Sequence, residues 1–119
     1  MPSSRKSDHY RAMIDSLVEA CERGAGQVGA ARVHRAIWNA NADSQGIGEH
    51  QELNRLLENL STAQRAALAS ALVKEFQAGV FETLKLLEAN QITPFENGYE
   101  GSAYEDFAGR LGGWQWPKS

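Results

Sequence analysis

The chain has 119 residues, 42% of them hydrophobic and 23% charged, with 11 glycines and 3 prolines. That length suits one domain, and that composition argues against a disordered or collagen-like chain. A formal charge of −3 lacks the basicity that marks a nucleic-acid binder.

Residues 1–7 are polar, carry Arg5 and Lys6, and contain no apolar core of a secretory signal. They are expected to be a disordered tail, with 8–119 forming a single helical domain. The first helical segment, 8–23, places Tyr10, Met13, Ile14, Leu17, Val18 and Cys21 on one face. Ser7 or Asp8 can cap its start, and Gly24 can end it. The second segment, 28–41, repeats the spacing with Ala30, Val33, His34, Ile37, Trp38 and Asn41, and then runs into helix stoppers up to Gly46. A third, short segment from about Glu49 carries Leu53, Leu56, Leu57 and Leu60 on one side and a ridge of Glu52, Arg55 and Glu58 on another.

The fourth segment opens on a capping box, Ser61 with Gln64, and is expected to run to Ala89 with Asn90 as its stop. Ala69, Leu72, Val73, Phe76, Val80, Thr83, Leu84 and Leu87 form its stripe, which Leu68 and Leu86 widen to about 160°. At 1.5 Å per residue the helix is about 42 Å long, more than a small domain is wide. It therefore protrudes, bends at Gly79, or packs against a second copy. Phe81 falls off the stripe, which puts it under the C-terminal tail or in a dimer contact. A second capping box, Ser102 with Glu105, predicts a short helix to Leu111 that buries Tyr104, Phe107 and Leu111, followed by an aromatic tail with Trp114, Trp116 and Pro117. The expected fold is all-α: a bundle of about four helices plus a short C-terminal helix.

Candidate chemistry is sparse. Residues 24–29 spell G-x-G-x-x-G, but a helical segment precedes them where a dinucleotide site needs a strand. They read as a connection whose small residues allow close packing. His9, His34 and His50 have no metal-ligand spacing, so neither a metal nor a cofactor is expected. Cys21 sits on an apolar face, where burial raises a thiol pKa and suppresses nucleophilicity. It is also the only cysteine, which suits a reducing, cytoplasmic setting. The longest weakly polar run, 66–73, is far short of the ~20 apolar residues a membrane span needs.

The charge pattern points to recognition rather than catalysis. Between residues 88 and 109 there are five acids and no Lys or Arg, interleaved with Phe95, Tyr99, Tyr104 and Phe107. Phe95, Tyr99, Glu100, Tyr104, Glu105, Asp106, Trp114 and Trp116 form the candidate surface for an unidentified protein partner. Alternatively these aromatics dock on the protein's own helices, which is the favoured reading both for the acidic stretch and for the two tail tryptophans. A homodimer through the helix around Phe76 and Leu87 is a further expectation. The alternative to an adaptor, inhibitor or immunity-type binder is a ligand or enzyme pocket between helices, walled by His34, Arg35 and Trp38.

The start Leu60-Ser61-Thr62-Ala63-Gln64-Arg65 and the closing Tyr104-Glu105-Asp106-Phe107, Arg110 and Trp116-Pro117 resemble a family of small uncharacterised bacterial helical proteins with no established activity. The resemblance implies a bacterial helical domain and assigns no functional residues.

Overall fold

A single long helix organises the chain. In the computed structural model, which describes residues 8–92 and 102–117, the elements in order are α1 (Asp8–Glu22), a 3-10 turn (Ala25–Gln27), α2 (Val28–Arg35), α3 (Ala42–Gln45), α4 (Gly48–Asn59), α5 (Thr62–Ala89) and α6 (Ala103–Leu111). The protein is all-α, and no strand occurs among the described residues.

α5 begins where its capping box predicts. The Gln64 amide donates to the Ser61 hydroxyl at 3.0 Å, and the Ser61 amide donates to the Gln64 side-chain oxygen at 2.9 Å. It ends at Asn90, whose side-chain amide donates to the Leu86 carbonyl at 2.8 Å. The helix continues through Gly79 without interruption, and the molecule is correspondingly long, 60 × 26 × 20 Å.

Shorter helices cover α5 in two groups. Around its N-terminal half, Ala69 packs with Ala30 and Val33 of α2 and Leu57 of α4, flanked by Trp38, Leu68, Leu72 and Val73. Around its C-terminal half, Leu84 packs with Tyr10, Ile14 and Cys21 of α1 and with Ala103 and Phe107 of α6. The glycine-rich connection joins the two groups by close packing. A β-carbon on Gly26 would lie 2.9 Å from the Cys21 backbone and 2.9 Å from the Phe76 ring, so only hydrogen fits there. Phe81, off the main stripe, meets α6 rather than the tail: its ring stands edge-on to Tyr104 at 5.4 Å.

The second segment ends earlier than its periodicity predicts. α2 stops at Arg35 because Ala36 turns left-handed (φ 61°) and its amide closes back on the Arg32 and Val33 carbonyls. The amides of Trp38 and Asn39, which a longer helix would use internally, both donate to the Asn54 side-chain oxygen of α4 at 2.8 and 3.1 Å. The Asn54 side-chain amide donates in turn to the Asn39 carbonyl at 2.9 Å. His34, expected on the buried stripe, is exposed within α2 itself, whose inward face carries Ala30 and Val33. The stopper-rich stretch itself forms the one-turn α3, anchored by buried Ala42 and closed by Gly46 at φ 66°. The second capping box is also corrected. Ser102 occupies the N-cap position with extended backbone, but its side chain makes no capping bond, and Glu105 is exposed.

Two stability predictions follow from this packing. Gly26→Ala is expected to cost about 2 kcal/mol by overpacking, whereas Gly79→Ala, whose β-carbon would meet nothing within 4 Å, gains about 0.5–1 kcal/mol from helix propensity. Urea denaturation of the two variants checks the opposite signs. Asn54→Ala leaves two part-buried amides and a carbonyl without their partner, and is expected to lose about 2–3 kcal/mol; an unchanged urea midpoint would count against that connection.

Candidate functional site

Of the acidic and aromatic residues singled out from the sequence, Tyr104, Asp106 and Trp116 are occupied by the protein itself. Trp116 is half-buried against α1: its indole nitrogen donates to the Asp15 carboxylate at 3.1 Å, and its ring stands edge-on to Tyr10 at 6.0 Å. The guanidinium groups of Arg11 and Arg110 lie over that ring at 5.4 and 5.6 Å. Arg110 also donates to Asp15 at 2.7 Å and to the Trp114 carbonyl at 2.6 Å, which ties the tail, α6 and α1 together. Asp106 is buried and accepts from the Tyr10 hydroxyl at 2.6 Å. Tyr104 is half-buried against Phe81. Glu105 and Trp114 stay exposed, and Trp114 rests edge-on to Trp116 at 5.2 Å. Phe95, Tyr99 and Glu100 lie outside the described residues.

His34 and Arg35 are exposed, and Trp38 packs beside Gly29 with the Arg32 guanidinium 5.1 Å from its ring centre. The His50 ring nitrogen lies 3.0 Å from the Asn39 side-chain amide, on the polar knot that holds α4. Cys21 is fully buried, and desolvation, reinforced by the nearby Glu22 charge, pushes its thiol pKa up and away from the reactive thiolate. Among the described residues no three or more His, Cys, Asp or Glu side chains are grouped to hold a metal ion. No helix of the described residues is long and apolar enough to cross a membrane.

Among the described residues, two cavities lie along α1. One is charged, about 520 Å³, and lies between α1 and the tail, where Asp15 pairs with Arg110 and Glu19 with Arg23. Its charges largely neutralise one another. The other is an apolar groove of about 420 Å³ between α1 and the C-terminal half of α5. Leu17, Phe76, Gly79, Val80, Thr83 and Leu84 line it, with Glu75 at its edge. The Thr83 hydroxyl donates to the Gly79 carbonyl at 2.7 Å, so its donor is spent within the helix. Exposed Leu86, seven residues beyond Gly79, prolongs the apolar side along α5.

The groove was not singled out from the sequence. Its one signal is that Gly79 and Thr83 lie on the flank of α5 that Leu68 and Leu72 occupy two to four turns earlier, where α2 covers it. Beyond α2 the same flank continues with Gly79 and Thr83, whose side chains are too small to close it.

The tail contacts predict a coupled response. Asp15→Ala removes the acceptor shared by Arg110 and Trp116, and is expected to cost about 1 kcal/mol while increasing acrylamide quenching of tryptophan fluorescence. Quenching identical to that of the wild type would show that the tail does not need Asp15.

No curated protein and no solved structure matches the chain. A family model matches residues 3–118, a span that takes in both helix starts and the aromatic close on which the sequence resemblance rests. The chain belongs to this family, DUF6547, described as a family of unknown function.

Proposed function

We propose that the protein is a non-enzymatic interaction module that docks an apolar segment of a partner in the groove between α1 and α5. The observation that supports this reading is the groove itself. Among the described residues, the longest helix leaves an open flank beside Leu17, and Glu75 supplies the one charge on its lining. Ligand sites combine apolar walls with a few convergent polar groups; this lining has apolar walls and no such convergence, which suits a surface filled by side chains rather than a reaction centre. The histidines and the cysteine point the same way. His9 and His34 are exposed on different helices, and Cys21 is buried with its thiol pKa raised. Glu105 and Trp114, still at the surface, are the described part of the acidic–aromatic set that remains available to a partner.

Site-specific photo-crosslinking in the source cells tests the reading. A photoreactive residue at Thr83, in the groove, is expected to capture a protein that the same residue at exposed Ser70 of α5 does not. The Thr83 adduct should disappear when Gly79→Leu is added. Identical adducts at both positions would overturn the groove as the docking site. An adduct of two copies of this chain would replace the external partner with a homodimer through the helix around Phe76 and Leu87.

A further inference from the structure

We infer that residues 113–117 form a strap with two states, docked on α1 or swung away about Gly113, and that swinging away uncovers Trp116 beside Trp114. Neither state depends on what fills the groove. The docked strap is held from the outside. Gln115 and Pro117 are exposed, Trp114 is 41% exposed, and Trp116 is half-buried. α6, by contrast, is rooted by fully buried Phe107 and by buried Asp106, which accepts from Tyr10. Segments with few buried apolar contacts open locally while the core stays folded. The bonds that break on opening leave little unpaired. When the Trp116 indole leaves Asp15, that carboxylate keeps Arg110 at 2.7 Å. The Pro117 carbonyl, which accepts from Arg11 at 3.3 Å on the surface, exchanges that donor for water. The amides of Gly113 and Trp114 donate to the Arg110 and Gly109 carbonyls at 3.1 and 2.8 Å, beside exposed Gly112 and Gly113, where water takes their place. Docking also carries a penalty of its own. Arg11 Nε, on the guanidinium that lies over the Trp116 ring, is buried with no hydrogen-bond partner, and an unpaired buried donor is unfavourable.

Gly113 supplies the pivot. Its φ of 93° turns the chain back over α1, and among the described residues nothing stands within 4 Å of the place a β-carbon would take. Glycine passes between positive and negative φ without a steric penalty, so a change at this one residue swings the strap. In the docked state the Trp116 ring faces Tyr10, Arg11 and Arg110. Swung away, two tryptophans two residues apart offer the kind of aromatic anchor that dominates binding energy. The docked strap is therefore an autoinhibitory contact: a protein that needs both rings binds the open state alone, and its apparent affinity scales with the fraction of chains in that state.

Hydrogen exchange of the full chain, followed by NMR through a series of sub-denaturing urea concentrations, tests the inference. The Trp116 indole N–H is expected to exchange through an opening that urea leaves unchanged, because little surface is exposed by it. The amide of Ile14, in the core of α1, should exchange through an opening that grows with urea. Gly113→Ala places an L residue at a positive φ and is expected to speed Trp116 exchange about ten-fold, the scale of the penalty on a left-handed L residue, while Ile14 keeps its wild-type rate. A common urea dependence for Trp116 and Ile14 would show that the tail leaves only when the fold opens, and would overturn the strap. So would a wild-type Trp116 rate in Gly113→Ala, or an equal acceleration of both groups. The urea series needs only the wild type, so it decides the matter should Gly113→Ala not fold.

Discussion

The structure depends on a mismatch of lengths. α5 has 28 residues and extends about 42 Å, while the helices available to cover it have 15, 8, 12 and 9 residues in α1, α2, α4 and α6. None of them can shield the whole apolar stripe, so the chain covers it in instalments. α2 and α4 serve the first half and α1 and α6 the second, which gives two clusters of buried side chains on one rod. The join needs an unusually close approach, and Gly26 supplies it by letting the connection press against Cys21 and the ring of Phe76. The inward face of α5 also shifts as its partners change. Leu68 and Leu72 point into the first cluster, whereas Phe81 and Leu84 point into the second.

The groove follows from that shift. On the first half of α5 the flank holding Leu68 and Leu72 lies under α2. On the second half the corresponding flank holds Gly79 and Thr83, while α1 and α6 are drawn round to Leu84 and Phe81. A larger residue at position 79 would have filled the space. α2 starts beside Phe76 and Leu72 and runs toward Ala69, so it leads away from the groove, and its early stop is set separately, where Asn54 of α4 takes the amides of Trp38 and Asn39.

What could be read from the sequence divides along the same physical line. The apolar periodicity of α1 and α5, the Ser61–Gln64 box and the stop at Asn90 are local, and each appears where the residues indicate. The end of α2 could not be read in this way, because nothing between Arg35 and Asn41 marks Ala36 for a left-handed turn; the determinant is Asn54, some 15 residues away. The second capping box failed for a related reason. Ser102 has the right residue type and backbone, but its side chain makes no capping bond. Asp106 shows the limit for the candidate surface. In the sequence it is one more acid beside an aromatic, and only the approach of Tyr10 from 96 residues away reveals it as an interior acceptor. Gly79 was legible as a break or a bend, and became the floor of a groove because its neighbours continue as straight helix.

α1 is what the tail and the groove have in common. Asp15 and Leu17 are two residues apart and so project from nearly opposite sides of the helix. Asp15 receives Arg110 and the Trp116 indole, and Leu17 forms a wall of the apolar groove. With Tyr10 donating to Asp106 at the start of the same helix, α1 is gripped by α6 and the tail through polar contacts that fix both its distance and its rotation. Apolar packing against α5 alone is non-directional and would let α1 roll, carrying Leu17 across the furrow. Among the described residues, Asp106 and Trp116, which suggested an outward-facing surface, therefore act inward, holding still the helix on whose other side the groove lies.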